Sequence, residues 1–340
     1  MDGSEPVRPA YKNRKGGLVF FGIVETVLGL LCLSAIALLA LAYLMEGQMA
    51  SRGMAMQARP ALIPQIGFYG CMAVFFFVMG AGSIMGRRWA RAIILVTSIY
   101  WLVAGAMVTL LLAYTMPRMM GTMAAAQSGT SGGASTLPTI LGTLIVVLFM
   151  GFFFVLVPAA FVLFYRSPHV KATCEHMDPK TRWTDRVPLA VLFLTLLLAS
   201  GGVMMLFTLG YSGMPFFGHV FRGPLFIFMV LLAATVALVL AYFIFLRRRW
   251  AWTATLALTL LWAISGFITM VTMKPAEMMS VYSSQKVPGM DQMMDAMKPA
   301  LVILMVVGTL IWLGFLLYAV RYFKPVPKSR DAEQDHPPAI

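Results

Sequence analysis

One carboxylate lies deep inside an apolar block of this 340-residue chain: Glu25, in the run from Leu18 to Leu44. At 1.5 Å of rise per residue it stands about 10 Å from the start of that run. A carboxyl group at that depth in hydrocarbon is expensive, and it marks either a proton or cation site or an interhelical hydrogen bond. Gly22, Gly29, Cys32 and Ala35 share its helical face. Such a small-residue stripe lets two helices approach closely. The pattern turns Glu25 toward a neighbouring helix, and one hydrogen bond across that contact is its expected role. The fifth apolar block holds no matching acid, which argues against a symmetric pair of ion sites.

Methionine is the second chemical signal, at 28 residues. Met116, Met119, Met120 and Met123 recur at i, i+3, i+4 and i+7, as do Met290, Met293, Met294 and Met297. Each set makes one stripe on a helix. Thioethers are soft donors suited to Cu(I). They also make a flexible, polarizable apolar face. The expectation is a pair of short amphipathic helices resting on lipid or over the spans, with Cu(I) binding as the alternative and His219 the only imidazole on that side.

A third group, His169, Cys174, Glu175, His176 and Asp178, carries ligand atoms in a spacing that matches no zinc pattern. It is expected to be a solvated connector. Cys32, Cys71 and Cys174 show no disulfide spacing. No strand-flanked, phosphate-cradling Gly-rich loop occurs and no HExxH or GxSxG signature lies in an apolar block, so neither catalysis nor a bound cofactor is expected.

The elements that must hold these residues follow from composition. The chain is 60% hydrophobic and 11% charged, against about 45–50% and about 25% in soluble domains. That excludes a soluble enzyme, because such a fold could not cover its surface. A bilayer core about 30 Å thick takes about 20 apolar residues per helix. Eight blocks qualify, near residues 18–44, 62–85, 92–114, 140–165, 189–209, 225–246, 253–272 and 301–322. The expected fold is an all-α integral membrane protein of eight transmembrane helices.

Nineteen of the 26 Lys and Arg residues fall on one side of that layout. The positive-inside rule makes that side cytoplasmic, with both termini there, in a cell (inner) membrane. The formal charge of +13 is thus an orientation signal, and a nucleic-acid partner is not expected. The expected partners are the lipid bilayer and another membrane protein or a second copy of the chain.

An internal repeat is also visible. RRWARAIILVTSIYWLVAG from Arg87 matches RRWAWTATLALTLLWAISG from Arg248, pairing Trp89 with Trp250, Trp101 with Trp262, and Gly105 with Gly266. Pro138 and Pro299 keep the same offset of 161. The expected layout is a four-helix repeat over 1–166, a cytoplasmic linker over 167–187, a second repeat over 188–323 and a disordered tail over 324–340. Four crossings per repeat leave both halves the same way up, about an axis along the membrane normal. The expected function is a non-catalytic structural, sensory or partner-binding module. The alternative is a transporter or Cu(I)-handling protein that uses Glu25 and the methionine stripes.

Overall fold

A computed structural model describes residues 11–50, 59–128, 136–274, 277, 278, 281 and 290–323. Its helices are α1 (Lys15–Ala50), α2 (Arg59–Ile84), α3 (Arg88–Ser128), α4 (Thr136–Gly151), α5 (Val157–Arg166) and α6 (Pro168–Met177). They continue with α7 (Leu189–Phe207), α8 (Gly223–Phe245), α9 (Arg249–Thr272) and α10 (Met290–Ala319). Among the described residues, eight helical stretches are long and apolar enough to cross a membrane. The chain is therefore a multi-pass membrane protein. Helix is the form that a single segment can take in lipid, because every backbone donor and acceptor must be met within the segment. The spanning helices carry apolar residues outward as well as inward: Leu38 and Leu110 are 67% and 71% exposed, where lipid rather than water is their solvent.

Close approaches set the packing. The α1–α2 crossing is built on glycine. A Cβ on Gly22 would lie 2.8 Å from the Gly80 carbonyl oxygen, and one on Gly80 would lie 2.8 Å from that of Gly22. In α7 and α8, Gly202 fits against Ala234 and Leu238 in the same manner. α3 ties the molecule together, packing on α4 and α5 and also on α7 and α10.

The fourth span is α4 and α5 joined through a π turn at Phe152–Leu156. Pro158, at the start of α5, cannot donate to the preceding turn, and a local π adjustment relieves the clash its ring would make. The turn brings the Phe154 carbonyl so near α3 that a Cβ on Gly105 would stand 2.1 Å from its oxygen.

Three features depart from expectation. First, a hairpin adds two short strands, β1 (Met214–Phe216) and β2 (His219–Phe221), to the helical frame. Its two turn residues, Phe217 and Gly218, both have positive φ, 47° and 77°, the geometry of a tight hairpin turn. Their amides donate to Ser265 Oγ at 3.0 Å and Thr269 Oγ1 at 3.1 Å on α9.

Second, the segment 167–187 is not a solvated connector. α6 and a 3-10 turn at Trp183–Arg186 pack over the basic ends of the spans. Val170, Thr173, Cys174 and Asp178 are buried. The chain before α1 lies over α6, with the Arg14 amide donating to Thr173 Oγ1 at 3.1 Å. Charge explains the order. Asp178 accepts two 2.9 Å hydrogen bonds from Arg182, and Arg88 donates to the Asp178 carbonyl at 2.6 Å. Paired, bonded charges can be buried where lone ones cannot.

Third, the methionine stripes are not separate short helices. Met116, Met119, Met120 and Met123 belong to α3 and Met290, Met293, Met294 and Met297 to α10, each continuous with a span. At 41 residues, α3 is about 60 Å long, roughly twice the hydrocarbon thickness, so its far end emerges from the membrane.

Candidate functional site

Three buried polar side chains from three helices meet in the first half of the chain. Glu25 of α1 is 2% exposed. Tyr165 of α5 donates to Glu25 Oε1 at 2.9 Å, and Ser83 of α2 donates to Oε2 at 3.0 Å. The Ser83 and Tyr165 hydroxyls are themselves 2.7 Å apart. As a carboxylate, Glu25 would take both hydroxyl protons and leave none for that third contact. A neutral carboxylic acid supplies the missing proton and closes a three-membered ring. One of the two hydroxyls then accepts from the carboxylic acid instead of donating to it, so that each member gives one hydrogen bond and accepts one, which satisfies buried polar atoms without burying a charge.

Local sequence explains how each partner arrives. Gly22 allows α1 and α2 to touch one turn from Glu25, and Ser83 stands three residues beyond Gly80 on the facing helix. Tyr165 is held from behind, since Arg91 Nη1 of α3 donates to its carbonyl at 2.9 Å. Apolar rings seal the ring of hydroxyls: Phe161 stacks on Tyr165 with centroids 6.1 Å apart, and Phe21 meets it edge-on at 6.0 Å. All three members stand toward the basic end of the bundle, with Ser83 at the close of α2 and Tyr165 beside Arg166. Ser83 and Tyr165 carry no spacing pattern that would pair them with Glu25. The only hint in the sequence was that both sit at the basic ends of their spans.

Elsewhere, α7, α8, α9 and α10 line a partly open cavity of about 560 Å³. Among the described residues its wall includes Leu198, Gly201, Ala237, Trp262, Gly308 and Trp312, and no residue of α1 to α6. Three of its polar side chains are engaged. Thr255 and Thr259 hydroxyls donate to the carbonyls four residues back, and Trp312 Nε1 donates to Thr259 Oγ1 at 3.1 Å.

The remaining candidates do not converge. Among the described residues no group of three or more His, Cys, Asp and Glu could hold a metal ion. In the His169–Asp178 group, the Cys174 side chain is buried in the core of the first half, beside Val170 and Tyr165. Asp178 turns instead to Arg182. Burial pushes the Cys174 thiol up to about 11. The Arg182 hydrogen bonds hold the Asp178 carboxyl below its ordinary range. His219 lies exposed on β2. Met116 and Met297 are half-buried. The side chains of Met119, Met120, Met123, Met290, Met293 and Met294 lie outside the described residues.

No family model, curated protein or solved structure matches the chain. Function is therefore argued from the site alone.

Proposed function

We propose that this chain is a non-catalytic structural or partner-binding membrane module, made of two copies of a four-helix unit with both termini cytoplasmic. The observation that carries the reading is the closed Glu25–Ser83–Tyr165 ring. Both carboxyl oxygens are engaged, and the cavity lies in the other half. A transport carboxylate needs a path to water and other polar residues along it, whereas this one clasps three helices.

Contacts at matching places in the two halves support the duplication. α2 and α8 end at Ile84 and Phe245, and α3 and α9 begin at Arg88 and Arg249, in each case 161 residues apart. The turns between them share one geometry. Gly86 and Arg247 have φ of 64° and 56°. The amides of Gly86 and Arg87 bond the Ser83 and Gly82 carbonyls, and those of Arg247 and Arg248 bond the Ile244 and Phe243 carbonyls.

The outer members of each unit shift in register. Gly29 packs on Phe77, and Gly202 packs on Leu238. Since Phe77 and Leu238 are partners at 161, α1 and α7 correspond at an offset of 173. Arg91 donates to the Tyr165 carbonyl and Trp252 to that of Leu316. Gly105 abuts Phe154 and Gly266 abuts Met305. Both pairs set the last spans at an offset of 151, so Pro138 and Pro299 occupy different heights despite their shared spacing of 161.

At those offsets Glu25, Ser83 and Tyr165 correspond to Leu198, Ile244 and Leu316. Ile244 and Leu316 are fully buried, and Leu198 packs against their cluster. The second unit thus builds the same crossing from hydrocarbon. The polar ring is an addition to the unit, and hydrogen bonding among three helices is the role that its geometry supports.

Glu25→Gln against Glu25→Leu tests the reading. Gln keeps a neutral donor and acceptor in place, so its thermal midpoint in detergent should stay near the parent's. Leu removes both carboxyl contacts and leaves the two buried hydroxyls only each other, so it should lower the midpoint by several degrees. Equal midpoints for all three proteins would overturn the structural role.

A further inference from the structure

We propose that the cavity of the second half is a binding site for one acyl chain of a membrane phospholipid. The correspondence between halves on which part of the argument rests is the duplication proposed above; the cavity itself is observed independently of it.

The volume of 560 Å³ lies within the range of about 300–1,000 Å³ typical of small-molecule pockets. It is not a packing defect that the unit cannot avoid. In the first half, the corresponding space is filled: Phe76 and Phe154 lie against Trp101, with ring centroids 6.1 and 6.4 Å away. At the matching places the second half has Ala237 and Met305 around Trp262. Leu28 gives way to Gly201, and Val157 to Gly308. A Cβ built on Gly201 would meet nothing within 4 Å. Four reductions in side-chain size thus open one continuous space.

The chemistry of the wall selects the occupant. Among the described residues no charged residue or histidine lines the space, so a headgroup would find no partner there. The Thr255 and Thr259 hydroxyls and the Trp312 ring nitrogen are bonded to one another or to the helix backbone, which leaves the Thr309 hydroxyl and the Trp262 ring nitrogen as the other polar side-chain groups of the described wall. A buried water typically makes about three hydrogen bonds, and against a wall that is otherwise hydrocarbon these two groups hold far less water than would fill the space. A hydrocarbon chain needs no polar partner, and the surrounding bilayer supplies it at high concentration. One end is covered by the hairpin: Phe216 of β1 lies 5.5 Å from Trp262, centroid to centroid. Met205, which lines the cavity, packs with Met214 and Phe226 at that same end.

The test uses the full chain reconstituted in phosphatidylcholine vesicles that carry a small fraction of phosphatidylcholine with a diazirine on one acyl chain. After illumination, labelled peptides are mapped by mass spectrometry. The expected result is label on Leu198, Trp262 and Met305 inside the cavity and on Phe228, which is 59% exposed, outside it. Ala237→Phe and, separately, Gly201→Leu should reduce cavity labelling at least fivefold and leave Phe228 labelled as before, which also shows that the variant is folded. A parallel arm replaces the lipid with a diazirine fatty acid at the same mole fraction. Cavity label from the fatty acid but not from the phospholipid would overturn the proposal. So would label on Phe228 alone, or cavity labelling that neither filling substitution changes. Because neither variant touches Glu25, its outcome is separate from the fate of the ring.

Discussion

The Tyr165 hydroxyl reaches the Glu25 carboxyl group at 2.9 Å across 140 residues of chain. That bond joins the last span of the first four to the first span, and Ser83 brings in the second. Removing one hydroxyl should leave the other two members bonded but lose two contacts. Tyr165→Phe and Ser83→Ala are each expected to cost about 1–3 kcal/mol. The double substitution should cost less than the sum, because members of one network couple. Chemical or thermal unfolding in detergent measures both; strict additivity would contradict the closed ring.

Replacing all three members by their second-half counterparts is the reciprocal experiment. Glu25→Leu, Ser83→Ile and Tyr165→Leu together replace a polar ring with matched hydrocarbon, as Leu198, Ile244 and Leu316 already pack. Buried polar sets exchanged for well-packed apolar ones are often neutral or stabilising. The triple variant should therefore unfold at a higher temperature than Glu25→Leu alone. A midpoint below that of the single variant would contradict the register proposed between the halves.

The cap at the basic end should respond to acid. Arg182 holds the Asp178 carboxyl below its ordinary value in the folded state. A carboxyl depressed in this way stabilises the fold fully above its unfolded value, about 3.9. That contribution is lost as pH falls through the folded value. Backbone exchange over α6 and the 3-10 turn, corrected for intrinsic rates, should rise between pH 5 and pH 2. Asp178→Asn should abolish the step and leave the segment equally loose at both ends of the range. A step that survives in the variant would assign it to another group.

Cys174 should be chemically quiet. Its thiol is buried, 1% exposed, and raised to about 11, while the thiolate is the reactive form. With Cys32→Ala and Cys71→Ala in place, iodoacetamide at pH 8 should modify Cys174 at least tenfold more slowly in the folded protein than after denaturation in dodecyl sulfate. Equal rates would show that α6 does not cover it.

The spans were legible because lipid imposes one requirement on every residue of a long block. The block near 18–44 is the middle of α1, Lys15–Ala50, and its neighbours behave alike. What escaped sequence reading rests on contacts between distant segments. The hairpin has two strands of three residues each, too short for an alternating pattern, and is fixed by hydroxyls on α9. The order of segment 167–187 comes from arginines about 90 residues earlier, such as Arg88 on the Asp178 carbonyl. The Gly22–Gly29 stripe showed where Glu25 turns. Its partners could not be named, since Ser and Tyr are common in spans and nothing local singles out Ser83 and Tyr165.

The central claim is that Glu25 serves as a hydrogen-bonded clasp and carries no ion. Proton flux into vesicles, followed with an entrapped pH dye under an imposed pH gradient and membrane potential, tests it most directly. The parent protein and Glu25→Gln should both match empty vesicles across pH 5 to 8. A flux present in the parent and lost in Glu25→Gln, with the fold intact, would contradict the account.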